Sequence, residues 1–114
     1  MLTSGDVVLV DLGVPVGREA GFPRLVVVLT AQRVLDHGPS VVQAVPLTTT
    51  LRGWESEVVI EPDDLNGLDR RSAAQCQHLR AVATARLGAR RGSIGAARLA
   101  AVRDTVGLLL DLPS

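Results

Sequence analysis

Apolar residues open the chain in a tight cluster, with Val7, Val8, Leu9 and Val10 set between Asp6 and Asp11. Their β-branched character predicts a first strand over 5–12. Gly13, Pro15, Gly17, Gly21 and Pro23 then break helix and sheet alike, so 13–23 reads as a long loop. Leu25 to Leu29 is an unbroken aliphatic run closed by Thr30, the pattern of a strand buried on both faces. Asp36, His37, Gly38 and Pro39 mark a turn, after which apolar character resumes from Ser40 to Leu47 as a third strand. Leu51 to Gly53 is a short connection, Trp54 to Ile60 alternates as a fourth strand, and Glu61 to Gly67 forms a polar loop.

The second half is less regular. Ala73 to Val82 suits a strand or a helix by propensity, because its alanines and glutamines also favour helix. Arg90 to Ile94 reads as a last short strand. From Ala96 to Leu110 the residues Leu99, Val102, Val106 and Leu109 recur at helical spacing, with Gly95 at the N-cap, and this stripe should pack on the sheet. Several short strands followed by one helix predict a mainly β fold, a small and mostly antiparallel barrel.

Length and composition narrow the classes. At 114 residues the chain suits one domain over 1–114, able to bury about two-thirds of the surface its unfolded form would expose. No apolar run approaches the roughly 18 to 20 residues of a membrane-spanning helix. The first residues, with Asp6 and Asp11 and no basic segment, do not read as a secretory signal. Cys76 is the only cysteine, which excludes an internal disulfide and a multi-cysteine zinc site and suits a reducing cytoplasm. The acidic stretch from Asp63 to Asp69 lacks the spacing of a calcium loop, so no metal or other cofactor is expected. The formal net charge is zero, which argues against indiscriminate coating of nucleic acid. All cationic side chains are arginine; acidic residues are densest between Glu55 and Asp69, whereas Arg18, Arg24, Arg52, Arg80, Arg86, Arg90 and Arg91 lie elsewhere, so a fold that gathers them makes one basic face.

Four segments in order carry a resemblance. Gly5 to Gly13 reads GDVVLVDLG; Gly17-Arg18-Glu19 leads to Arg24; Pro46-Leu47-Thr48-Thr49-Thr50 precedes Arg52-Gly53-Trp54; and Ser72 to Leu87 reads SAAQCQHLRAVATARL. Over nearly the whole chain these resemble the MazF/PemK family of toxin ribonucleases. The departures are Leu25 where the family has proline after its arginine, Gln77 in place of an acidic residue, and His78 in place of glutamine. The resemblance implies an SH3-like barrel with a C-terminal helix and assigns Ala73 to Val82 to strand. It also implies a homodimer, a cognate MazE-like antitoxin whose disordered tail folds onto it, and metal-independent cleavage of single-stranded RNA to a 2′,3′-cyclic phosphate and a 5′-hydroxyl.

That chemistry drives a ribose 2′-hydroxyl onto the adjacent phosphorus and builds negative charge on the phosphoryl oxygens. A guanidinium answers it with a planar fork of donors and a charge that persists at any working pH, so the resemblance makes Arg24 and Thr48 the catalytic candidates. Arg24 would stabilise the transition state electrostatically, and Thr48 would hold the phosphate through its hydroxyl. Taken alone, Arg24 is a surface charge and Thr48 a strand-end threonine; their combination is what singles them out. Arg18, Phe22, Thr49, Arg52, Trp54, Gln77 and His78 are the RNA-binding candidates. His78 titrates near neutrality and is a candidate base or RNA contact. Trp54 either stacks on a base or packs at a core or subunit interface. Cys76 reads as a buried, inert thiol, and His37 as loop. Two rivals stay open: a toxin with a similar barrel that poisons DNA gyrase without cutting RNA, and a degenerate member that only binds antitoxin.

Overall fold

A computed structural model describes residues 1–21 and 23–113, so the Phe22 expectation lies outside the described residues. Strands β1 (Asp6–Asp11) and β2 (Pro23–Val28) are followed by a short helix α1 (Gln32–Leu35) and by β3 (Val41–Thr48), β4 (Glu57–Ile60) and β5 (Ser72–Gln75). Then come β6 (Arg80–Ala83), β7 (Leu87–Ser93) and the closing helix α2 (Gly95–Leu109). The sheet order is β4-β5-β3-β2-β1-β7, with β6 also on β3, and every pairing is antiparallel. This is the mainly β, barrel-like fold with a C-terminal helix that the pattern predicts, bent rather than closed.

Both faces of the central strands are buried, which explains their continuous apolar runs. Val7, Val27 and Val45 point to the core under α2, where Val102 and Val106 seal it. Val8, Val26 and Val28 point to a second core with Val42 and Val82. Leu99 packs at the edge of the first core, whereas Leu109, expected in the buried stripe, is exposed. The helix cap falls on Ile94, one residue before the expected Gly95, which instead begins the helix at φ +80° and donates its N–H to Ser93 Oγ at 3.2 Å.

Three boundaries differ in ways that matter. The turn before β3 is preceded by α1, whose single buried residue, Leu35, joins the second core. Four residues are too short a run for the helical period to show. The fourth strand begins at Glu57, leaving Trp54 in the connection. The predicted strand Ala73 to Val82 is two strands, β5 and β6, split by a 3₁₀ turn at Cys76–His78. Both halves pair with the same edge of β3: Leu47 faces Ala74 and Ala44 faces Arg80, so three steps along β3 span six along its partner. The surplus is taken up in the turn, which buries Cys76 and extrudes Gln77 and His78.

Candidate active site

Arg24 is the second residue of β2, and β3 ends with Thr48. Val26 is paired with Pro46, and the same antiparallel register carried two residues outward sets Arg24 opposite Thr48. Both line an open cavity of about 470 Å³ together with Arg18, Arg52, Trp54 and His78. Both also line an adjoining hollow of about 370 Å³, which holds Thr49. The remaining RNA-binding candidate, Gln77, lines the larger cavity.

Arg24 Nη1 donates to Gln75 Oε1 at 2.9 Å, while its Nε is buried with no partner among the described residues. Burial, reinforced by the Arg52 charge, lowers the Arg24 pKa, yet an arginine starts so high that it stays cationic near neutrality. Thr48 Oγ1 accepts the Thr50 N–H at 3.1 Å, which leaves the hydroxyl proton free to donate into the cavity. The Arg52 guanidinium lies 5.0 Å from the centre of the Trp54 ring, within cation–π range. Trp54 is about half exposed, so it is a surface platform on the cavity wall and not a core residue.

His78 sits half-buried on the wall. Burial lowers its pKa most, with Arg24 next and a smaller push from Arg52, while Glu57 and Glu19 pull it the other way. The net direction is downward, leaving a neutral imidazole at neutral pH. Cys76 is buried behind it with its thiol pushed up to about 11 by burial, the inert thiol expected. His37 is exposed in the turn after α1.

Two site residues escape sequence reasoning. Gln75 ends β5 almost fully buried and holds Arg24. Glu57 begins β4 directly across from Gln75, and its side chain is only 2% exposed. Glu57 Oε2 accepts from Gln77 Nε2 at 2.8 Å and lies 3.6 Å from Arg52 Nη1; its Oε1 is buried without a partner among the described residues. The carboxylate therefore braces the wall from behind, joining the β3–β4 connection to the 3₁₀ turn. A lone Glu in an alternating strand gives no sequence signal for such a role. Glu19, whose Oε1 accepts the Val16 N–H at 2.9 Å and so pins the long loop, also reaches the cavity.

The sequence and the fold both have counterparts among known proteins. A sequence model described as PemK-like, MazF-like toxin of type II toxin-antitoxin system matches residues 3–110. Endoribonuclease MazF3 of Mycobacterium tuberculosis (strain CDC 1551 / Oshkosh) is 34% identical over 89 residues, 78% of this chain and 84% of that protein. Among solved structures, MazF of Deinococcus radiodurans superposes with a TM-score of 0.80 at 25% identity, covering 96% of each chain. A MazE-MazF crystal structure from the same organism gives a TM-score of 0.74 at 26% identity, again over 96% of each chain.

Proposed function

Since the chain belongs to the PemK-like, MazF-like toxins of type II toxin-antitoxin systems, we propose that the Arg24–Thr48 cavity is the active site of an endoribonuclease acting on single-stranded RNA. The observation that carries this reading is the convergence of a guanidinium and a hydroxyl, from the start of one strand and the end of another, on one open cavity. The scissile phosphate lies between them. Arg24 keeps Nη2 for a phosphate oxygen while Gln75 holds Nη1, so the guanidinium is already oriented before charge develops. Thr48 donates its hydroxyl to the same phosphate. A neutral His78 accepts the 2′-hydroxyl proton as the oxygen attacks phosphorus, and the P–O5′ bond breaks with the departing 5′-oxygen taking a proton from water, yielding a 2′,3′-cyclic phosphate and a 5′-hydroxyl. Charge is stabilised by guanidinium groups, and the reaction requires no metal ion.

RNA enters along the wall formed by Arg18, Arg52 and Trp54, where Trp54 offers a flat face to a base and the arginines meet phosphates. Thr49 contacts the next phosphate in the adjoining hollow. In the cytoplasm the toxin is a homodimer silenced by a MazE-like antitoxin, in keeping with the MazE-MazF relative. The deciding experiment is digestion of labelled single-stranded RNA by purified protein in the presence of a chelator. Metal-independent cutting, with products ending in a cyclic phosphate, is expected. Growth inhibition by a protein that leaves RNA intact would instead mark a toxin that works by binding.

A further inference from the structure

Gln77 carries no charge and stands on the exposed side of the 3₁₀ turn, yet its amide has only one allowed orientation. Its partner is the Glu57 carboxylate, at 2.8 Å. An ionised carboxylate only accepts hydrogen bonds, so the amide NH₂ must face it and the amide carbonyl must face away. Glu57 does not swing out to release this grip, because its side chain is almost wholly buried and the same oxygen, Oε2, also lies 3.6 Å from Arg52 Nη1. Gln77 lines the large cavity and also a smaller one of about 280 Å³ beyond it, shared with His78 and Arg80. A carbonyl oxygen, fixed in direction by a buried charge, is thus displayed to whatever occupies the groove.

Resting on the ribonuclease reading above, we infer that Gln77 is a specificity-determining residue, oriented by Glu57, which accepts a hydrogen bond from the exocyclic amino group of one RNA base. Adenine, cytosine and guanine each carry such a group. Uracil offers only a ring N–H set between two carbonyl oxygens, which repel an incoming acceptor. One position of the cleavage site should therefore exclude uracil. Glu57 is the positioning residue: it does not touch RNA, but it decides which end of the amide does.

The test is to cut a pool of random-sequence RNA with wild-type protein, Gln77→Met and Glu57→Gln, and to sequence the new 5′-hydroxyl ends. Wild type should disfavour uracil at one position by about tenfold, the worth of one well-made hydrogen bond. In an oligonucleotide cut by wild type, replacing the base there by its analogue lacking the amino group (inosine, purine riboside or the 4-deamino analogue of cytidine) should slow cutting by a similar factor. Gln77→Met keeps length but loses the acceptor and should erase both effects. Glu57→Gln, whose amide accepts or donates equally well, frees Gln77 to turn over and should bring uracil up toward parity at the same position. A cleavage profile unchanged in Gln77→Met overturns the inference, as does a wild-type site with uracil at every preferred position. Should Glu57→Gln fail to fold, as judged by thermal melting, Gln77→Met and the base analogues still decide. Absence of any cutting by wild type would instead overturn the ribonuclease reading itself.

Discussion

Arg24 is the residue on which activity should depend most. It is half-buried with its Nη1 held by Gln75, and removing one preorganised donor to a developing oxyanion commonly costs about 10²–10³ in kcat. Arg24→Ala should lose at least that much in single-turnover cutting of labelled RNA without losing its melting transition, and Arg24→Lys should recover little, because an ammonium cannot replace the fork. His78 makes a pH prediction. Burial and Arg24 depress its pKa below the ordinary histidine value, so the unprotonated base is already available at neutral pH. The cutting rate should rise with pH below about 6.5 and level off by neutrality, and in His78→Ala this acidic limb should vanish. The same shift has a stability consequence. A group whose protonated form is disfavoured by the fold contributes fully above its unfolded pKa and loses that contribution as pH falls through the lower folded value.

The 3₁₀ turn is the element that makes the site. A continuous strand from Ser72 to Ala83 would alternate faces and send successive side chains into the cores; the extra residues between β5 and β6 break that alternation, bury Cys76 and deliver Gln77 and His78 to the cavity. The polar loop before β5 is as firmly built. Asn66 is fully buried, its Oδ1 accepting the N–H groups of Asp63 and Leu68 and its Nδ2 donating to the Glu61 carbonyl at 2.8 Å. Gly67 beside it, at φ +67°, lies so near the Arg91 carbonyl that no side chain fits. Asn66→Ala strands these backbone groups and should cost about 2 kcal/mol, a fall in Tm of roughly 10 °C by calorimetry. Because Asn66 lies outside the cavity, the cutting rate at 25 °C should persist.

At the scale of the molecule the formal charge is zero, and the cations that matter are few and local. Three guanidiniums, Arg18, Arg24 and Arg52, line the cavity. If each meets one phosphate, log affinity against log salt should slope at roughly −2, since single strands release about 0.7 counterion per phosphate. Fluorescence anisotropy with a non-cleavable RNA measures this slope, and one several times steeper would mean a basic surface far beyond the cavity. The loop from Gly13 to Gly21 brings Arg18 and Glu19 to the same cavity, so an antitoxin segment that covers the site must contact or displace it. Hydrogen exchange at these amides should change on antitoxin binding; identical exchange with and without antitoxin would refute that.

Much of the architecture was legible in order and type. Aliphatic runs buried on both faces announced β1, β2 and β3, and helical spacing announced α2, because burial writes periodicity into any segment long enough to repeat. The four motifs, read in sequence, pointed to Arg24 and Thr48. What the chain order concealed was every relation between strands: the pairing of Glu57 with Gln75, the grip of each on a different side chain of the site, and the surplus turn that splits the strand carrying Gln77 and His78. Those depend on register, which links residues far apart along the chain and leaves no local pattern. Side-chain type thus determined which groups were available for chemistry, and only the folded sheet decided which of them would meet.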